Sequence, residues 1–148
     1  MRPYAWAFLA SAVTSALAAE PHWTDVMHMS NADAASGIRQ ESVIKFDENS
    51  FQRKGDLTLV NTLAHQEVFF LSGDVSVSDI VIQMAYNCSQ HKQAAMQLIS
   101  VKVVKRNHDG TTTDLTPAAR AAFDTSANGT FHEAKETEDF ARACAHKW

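Results

Sequence analysis

Residues 20–116 show the alternation of apolar and polar side chains that is typical of β-strands. Successive side chains on a strand point to opposite faces of a sheet, so a half-buried strand is apolar at every second position. Turn-forming residues at 54–56 and 72–74 separate some of these stretches. The pattern predicts an antiparallel meander. Its predicted strands are HWTDVMHM, IRQESVIKF, DLTLVNTLA, EVFFL, VSDIVIQMAYNC and AAMQLISVKVVKR, with a short returning run, TTTDLT.

The stretch VSDIVIQMAYNC has one side that is almost entirely apolar. Its even-numbered positions from 80 to 88 are Ile, Ile, Met, Tyr and Cys. Because these side chains share one face of a strand, we expect Cys88 to point toward the core.

After Pro117 the pattern becomes helical. PAARAAF predicts one or two helical turns, and DTSANGT predicts a loop. Thr130 and Glu133 have the spacing of a capping box, in which the two side chains satisfy N–H groups at a helix start. Apolar residues at spacings of three and four then predict a C-terminal helix of about 15 residues with one buried stripe. The stripe contains Thr137, Phe140, Ala141, Cys144, Ala145 and Trp148.

The first nineteen residues have the features of a secretory signal peptide. MRPYAWAFLASAVTSALAA carries one early positive charge, an uncharged stretch and small residues that fit cleavage after Ala18 or Ala19. The apolar run is shorter and richer in alanine than a membrane span of about 20 residues, and no cysteine lies at the cleavage site to carry a lipid. We therefore expect an exported protein, periplasmic or secreted, with no membrane anchor after cleavage. Residues 20–148 suit one domain.

Export makes a disulfide the simplest use of the two cysteines, Cys88 and Cys144. The bond would close a loop of 56 residues, for which the chain-entropy account gives roughly 4 kcal/mol of stabilisation. It would also hold a terminal helix that is only marginally stable alone. The sequence thus predicts an α+β fold: a single antiparallel β-sheet with a C-terminal helix disulfide-linked to one face. A catalytic Cys88 is the alternative, but His91 would point to the opposite face of an extended strand.

Charge excludes one class of partner and indicates one candidate surface. Without Arg2 and the rest of the leader, 12 basic and 17 acidic residues remain, a net charge of 12 − 17 = −5, which argues against nucleic acid. Lys102, Lys105, Arg106 and His108 form a basic cluster, in which Lys102 and Arg106 share a side of the strand. The cluster is either a binding site for an acidic partner or a set of edge lysines that prevent aggregation of sheets.

Motifs typical of catalysis or cofactor binding are absent from the sequence. The seven histidines show no paired metal-ligand spacing. Adjacent acidic pairs such as Asp47 and Glu48 point in different directions, whereas catalytic carboxylates converge. Five isolated glycines form no phosphate loop. We therefore expect no enzymatic activity, no metal and no other cofactor, with a site assembled from distant residues as the alternative.

Four short segments occur along the chain in the order HWTDV, FDENSFQRKGDLTLVNTL, YNCSQHKQ and ARAC, and each of the last two contains one cysteine. In their order and in their cysteine placement they resemble the surface-adhesin protein E family of small exported bacterial proteins. The resemblance implies an antiparallel sheet of about six strands, with the C-terminal helix disulfide-linked to its concave side. The chain departs from the family in lacking a lipid-anchoring cysteine and in having Phe123 where tryptophan is usual.

The resemblance also implies a function in protein binding. A lipid-anchored member of that family binds host extracellular-matrix and plasma proteins and can dimerise. Our first hypothesis is an exported, non-catalytic, adhesin-like domain at 20–148 that recognises extracellular or envelope proteins and can form a homodimer. The second is a soluble periplasmic protein with a structural or envelope-maintenance role and no host ligand, since one fold can serve several functions.

Overall fold

The computed structural model describes residues 19–135 and 137–148, so the predicted signal peptide lies outside the described residues except for Ala19. Strands account for most of these residues. In chain order the elements are β1 (Trp23–Asp33), β2 (Ile38–Asp47), a 3-10 helix (Glu48–Ser50), β3 (Gln52–Lys54), β4 (Leu57–Phe69), β5 (Val75–Asn87), β6 (Lys92–Arg106), β7 (Thr112–Asp114), α1 (Thr116–Ser126), β8 (His132–Glu133) and α2 (Glu138–Cys144).

The strands form one antiparallel sheet in the order β1-β2-β4-β5-β6-β7, curved into a half-barrel. The short strands β3 and β8 pair with β4 and β6. The predicted antiparallel sheet is therefore confirmed. Extra residues interrupt the pairing at Val26 in β1 and at Met96 and Ile99 in β6. Such bulges bend a strand and increase its twist, which suits a curved sheet.

Two stretches that the pattern separates, DLTLVNTLA and EVFFL, form the single strand β4. Each residue from Leu57 to Phe69 has a partner on β5 without a shift in register. The polar residues in the middle of β4 therefore do not end the strand, because continuous main-chain pairing outweighs a weak break in the side-chain pattern.

The predicted capping box at Thr130 and Glu133 is wrong. Glu133 belongs to β8, which pairs with Lys92 at the start of β6, and the helix begins only at Glu138. α2 therefore has 7 residues and not about 15. If the helix began at Thr130, main-chain groups on the edge of β6 would lose their hydrogen-bond partners. Pairing with β8 provides these partners, so the tertiary contact overrides the local capping pattern.

Residues 111–134 follow the outer edge of β6. β7 pairs with one end of that strand and β8 with the other. Between them, Leu115 donates its main-chain N–H to Val103 at 2.9 Å, and Gly129 donates to Ala95 at 2.9 Å. α1, which extends from Thr116 to Ser126 and is longer than predicted, lies along β6 between these two contacts. The long edge of β6 is thus covered, which protects it from pairing with other chains.

An aromatic cluster attaches α2 to the sheet. Phe46, Val60 and Tyr86 are completely buried, and the helix adds Phe140 and Ala143. The rings of Tyr86 and Phe140 are 5.9 Å apart, and those of Tyr86 and Phe46 are 6.1 Å apart. Phe140 thus has the buried place predicted for it, whereas Ala143, and not Ala141, is the buried alanine of the helix.

The predicted disulfide between Cys88 and Cys144 is confirmed, with a Cα–Cα distance of 5.8 Å. Cys144 ends α2 and packs against the core cluster. The expectation that Cys88 points into the core is wrong, because β5 ends at Asn87 and Cys88 lies exposed in the following turn. The Asn87 side chain shapes that turn by accepting the main-chain N–H of Gln90 at 3.1 Å.

Substitution Cys144→Ser should lower the free energy of unfolding by up to roughly 4 kcal/mol, because the unfolded chain regains the freedom of a 56-residue loop. Denaturant melts of the oxidised proteins measure the change. Reduction of the wild type is the matched control and should produce a similar loss. A variant that melts like the oxidised wild type would show that the bond contributes nothing.

Substitution Phe140→Ala should destabilise the fold by about 3–5 kcal/mol, since it leaves a cavity against Tyr86. Phe131→Ala is the control, because Phe131 is 36% exposed whereas Phe140 is 7% exposed, and its cost should stay below about 1 kcal/mol. Equal losses in chemical denaturation would contradict the assignment of Phe140 to the core.

Candidate functional site

A cleft of about 380 Å³ lies across β4, β5 and β6, on the sheet face that carries Lys102 and Arg106. Valines form its middle, since Val77 on β5 pairs with Val104 on β6. Acidic side chains come from β4 and β5, and basic side chains come from β6. We call this site the charged cleft, and it is lined by Glu67, Val77, Asp79, Lys102, Val104 and Arg106.

The two basic residues of the charged cleft are exposed. Within residues 19–135 and 137–148, neither Lys102 nor Arg106 has a carboxylate within the 4.0 Å of an ion pair. Both cations are therefore free to meet an anionic group on another molecule. Exposed charges of this kind contribute more to association rate and selectivity than to affinity.

The acidic side of the charged cleft is organised by His65. Its Nδ1 atom lies 2.7 Å from Asp79 Oδ1, and its Nε2 atom lies 3.8 Å from Glu67 Oε1. The first distance is that of a hydrogen bond, whereas the second is too long for one. His65 therefore holds Asp79 at the wall of the charged cleft, and Glu67 lies on the same side.

The remaining two residues of the predicted basic cluster lie elsewhere. Lys105 occupies the opposite side of β6 from Lys102 and Arg106, as strand alternation predicts, and its Nζ atom lies 3.1 Å from Asp74 Oδ2. His108 contacts the same carboxylate through Nδ1 at 2.8 Å and through its main-chain N–H at 2.8 Å. The structure therefore brings Lys102 and Arg106 together, and it separates them from Lys105 and His108.

Asp74 connects the β4–β5 turn to the β6–β7 turn. The side chain of His108 contributes most to lowering the pKa of this carboxyl below its ordinary value, followed by the His108 main-chain N–H and by Lys105. Lys105 and His108 are thus engaged in holding two turns together, which is a structural role.

The described residues contain no group of three or more side chains arranged to hold a metal ion. In the same part of the chain, each helix is too short or too polar to cross a membrane. The charged cleft presents charges of both signs beside an apolar floor.

Sequence reasoning missed the acidic half of the charged cleft. His65 and Glu67 are two positions apart on β4, so they share a face, and this spacing is visible in the sequence. Their proximity to Asp79 depends on the register between β4 and β5, in which His65 lies opposite Asp79. No motif in the sequence specifies that register.

Comparison of the chain with protein-family models, with curated protein sequences and with solved structures gave no match. The resemblance to the surface-adhesin protein E family stays a prediction from short segments.

Substitution Asp74→Asn should destabilise the protein at neutral pH and have less effect in acid. A carboxyl whose pKa is lowered in the folded state stabilises the fold above its ordinary pKa of 3.8, and this contribution is lost as the pH falls through the folded-state pKa. The gap in melting temperature between wild type and variant should therefore narrow below about pH 4. Asp56→Asn, in the β3–β4 turn, is a charge-matched control. A gap that stays constant down to pH 2 would contradict the ionic role of Asp74.

Proposed function

We propose that the chain is an exported, non-catalytic protein-binding domain that recognises its partner through the charged cleft. The observation that carries this proposal is the pair Lys102 and Arg106, two exposed cations without an ion pair among the described residues, beside the valine floor of Val77 and Val104. Such a combination of apolar floor and unpaired charge suits a protein segment that presents carboxylates.

The arrangement of charges favours a partner with a defined orientation. Acidic residues on the partner would approach Lys102 and Arg106, whereas a basic residue would approach Asp79 and Glu67 on the other side of the cleft. The wrong orientation would place like charges together, which costs affinity. The charged cleft can therefore select both a partner and its direction of binding.

Export is supported by the disulfide and by the leader pattern. The Cys88–Cys144 bond indicates a non-reducing compartment, and the first nineteen residues have the composition of a signal peptide. The partner is accordingly an extracellular or envelope protein. A periplasmic role in envelope maintenance is the second candidate, and the same cleft would then bind an envelope protein and no host protein.

The double substitution Lys102→Glu/Arg106→Glu should abolish partner capture, because it replaces both free cations with anions. The mature, oxidised protein, immobilised on beads, is exposed separately to an envelope extract and to an extracellular-matrix extract, and retained proteins are identified by mass spectrometry. Specific partners should be retained by the wild type, released by raised salt and lost with the variant.

The control Lys54→Glu/Arg120→Glu changes the net charge equally on exposed residues outside the cleft. It should retain the wild-type set of proteins. The assignment of binding to the charged cleft would be contradicted if the cleft variant retained the same proteins as the wild type. It would also be contradicted if both variants lost those proteins. Capture from only one of the two extracts decides between a matrix partner and an envelope partner.

A further inference from the structure

A second cavity, of about 200 Å³, lies on the opposite face of the sheet beside α2. We call it the concave cavity. Four strands supply an apolar wall, and α2 supplies one acidic side chain, Asp139. An apolar cavity of roughly 150 Å³ can bind benzene, so the concave cavity is large enough for a ligand of similar or slightly larger size. Its apolar wall includes Met27, Ile44, Ile80, Ile82 and Met84.

The concave cavity contains a buried hydroxyl without a partner. Thr62 is only 9% exposed, and its Oγ1 atom has no hydrogen-bond partner among the described residues. Oγ1 lies close enough to the Tyr86 phenol to act on it weakly, although the contact does not have the distance and angle of a well-formed hydrogen bond. Buried polar atoms are nearly always hydrogen-bonded in folded proteins, so a hydroxyl in a cavity wall without a well-formed hydrogen bond can take a further partner.

Asp139 lies in the wall of the same cavity with one oxygen engaged. Its Oδ2 atom accepts a hydrogen bond from the Tyr86 hydroxyl at 3.2 Å. Burial, and then the charge of Asp139, raise the pKa of Tyr86, so the phenol stays protonated and acts as the donor. Oδ1 accepts no hydrogen bond from the described residues, and no cation of these residues lies within 4.0 Å of the carboxylate. The nearby Arg142 instead pairs with Glu48 at 3.2 Å.

We propose that the concave cavity binds a small amphiphilic amine, with its ammonium group between Asp139 and Thr62 and its hydrocarbon body against the apolar strands. An ammonium group has three N–H donors, which match the carboxylate of Asp139 and the hydroxyl of Thr62. A ligand with a carboxylate head would meet the negative charge of Asp139. A wholly polar amine would leave the apolar wall without a contact.

The apolar wall suits ligands whose hydrocarbon bodies differ in shape. Met27 and Met84 have flexible, polarisable side chains that adapt to irregular surfaces. Ile44, Ile80 and Ile82 form the more rigid part of the wall. A body of roughly six to eight carbon atoms corresponds to the cavity volume.

The test compares octylamine, octanol and octanoate, which share a hydrocarbon body and differ in head group. Isothermal titration calorimetry at pH 7 should show octylamine binding roughly tenfold tighter than octanol, because hydrogen bonds to charged groups are stronger than neutral ones. Octanoate should bind most weakly. Shifts of the Met27 and Met84 methyl signals in NMR spectra would locate the ligand.

Substitution Asp139→Asn should remove the preference for octylamine over octanol. Glu138→Gln is the matched control, because it changes the same charge on an exposed neighbour of the same helix and should preserve the preference. Ala64→Leu, which fills the cavity without altering Asp139, should weaken binding of all three probes. Thermal melts verify that each variant is folded. If Asp139→Asn does not fold, binding by Ala64→Leu still tests the proposal.

Equal affinity for octylamine and octanoate would overturn the proposal, as would unchanged octylamine binding by Ala64→Leu. An absence of binding by all three probes would overturn it as well. The cleft variant Lys102→Glu/Arg106→Glu should bind octylamine normally, since its altered residues lie on the other face. Failure of the charged cleft and failure of the concave cavity are therefore distinguishable.

Discussion

The packing of Phe140 against Tyr86 holds the C-terminal segment on the sheet, and the other features of the face that α2 covers depend on it. A helix of 7 residues is not stable alone in water. The Cys88–Cys144 bond limits how far α2 can move, but the bond joins the exposed end of β5 and does not by itself orient the helix. The aromatic contact provides the orientation, and it places Asp139, the residue before Phe140, at the concave cavity.

Strand alternation gives the two faces of the sheet different chemistry. On β5, Asp79 lines the charged cleft, and the next residue, Ile80, lines the concave cavity. The bulges at Met96 and Ile99 interrupt this alternation on β6. Lys102 and Arg106 both come after the bulges, so period-two reasoning correctly places them on one face. Each inserted residue reverses the face on which the following side chains lie. Two insertions therefore restore the original alternation beyond the second bulge.

The sequence predicts the sheet well and the C-terminal segment only in part. Long alternating runs are a strong signal because a strand buried on one face is apolar at every second position. Two cysteines are a strong signal because, in an oxidising compartment, they most simply form one disulfide. The capping-box signal at Thr130 failed because it is local, whereas the edge of β6 needs partners from distant residues. The charged cleft shows the same limit of local reasoning. Lys102 and Arg106 lie on one strand, so alternation along that strand predicts their common face. Glu67 and Asp79 lie on two other strands, and only the register of the three strands brings them to the same cleft.

Register is therefore the constraint that keeps both sites intact. A slip of one residue between β4 and β5 would exchange the faces of every side chain on the displaced strand. It would move Asp79 away from His65 and bring polar side chains to the wall of the concave cavity. Thirteen successive residue pairs between β4 and β5 oppose such a slip, and the disulfide directly after β5 resists displacement of that strand relative to α2. The charged cleft and the concave cavity are thus separate in chemistry but share one structural support.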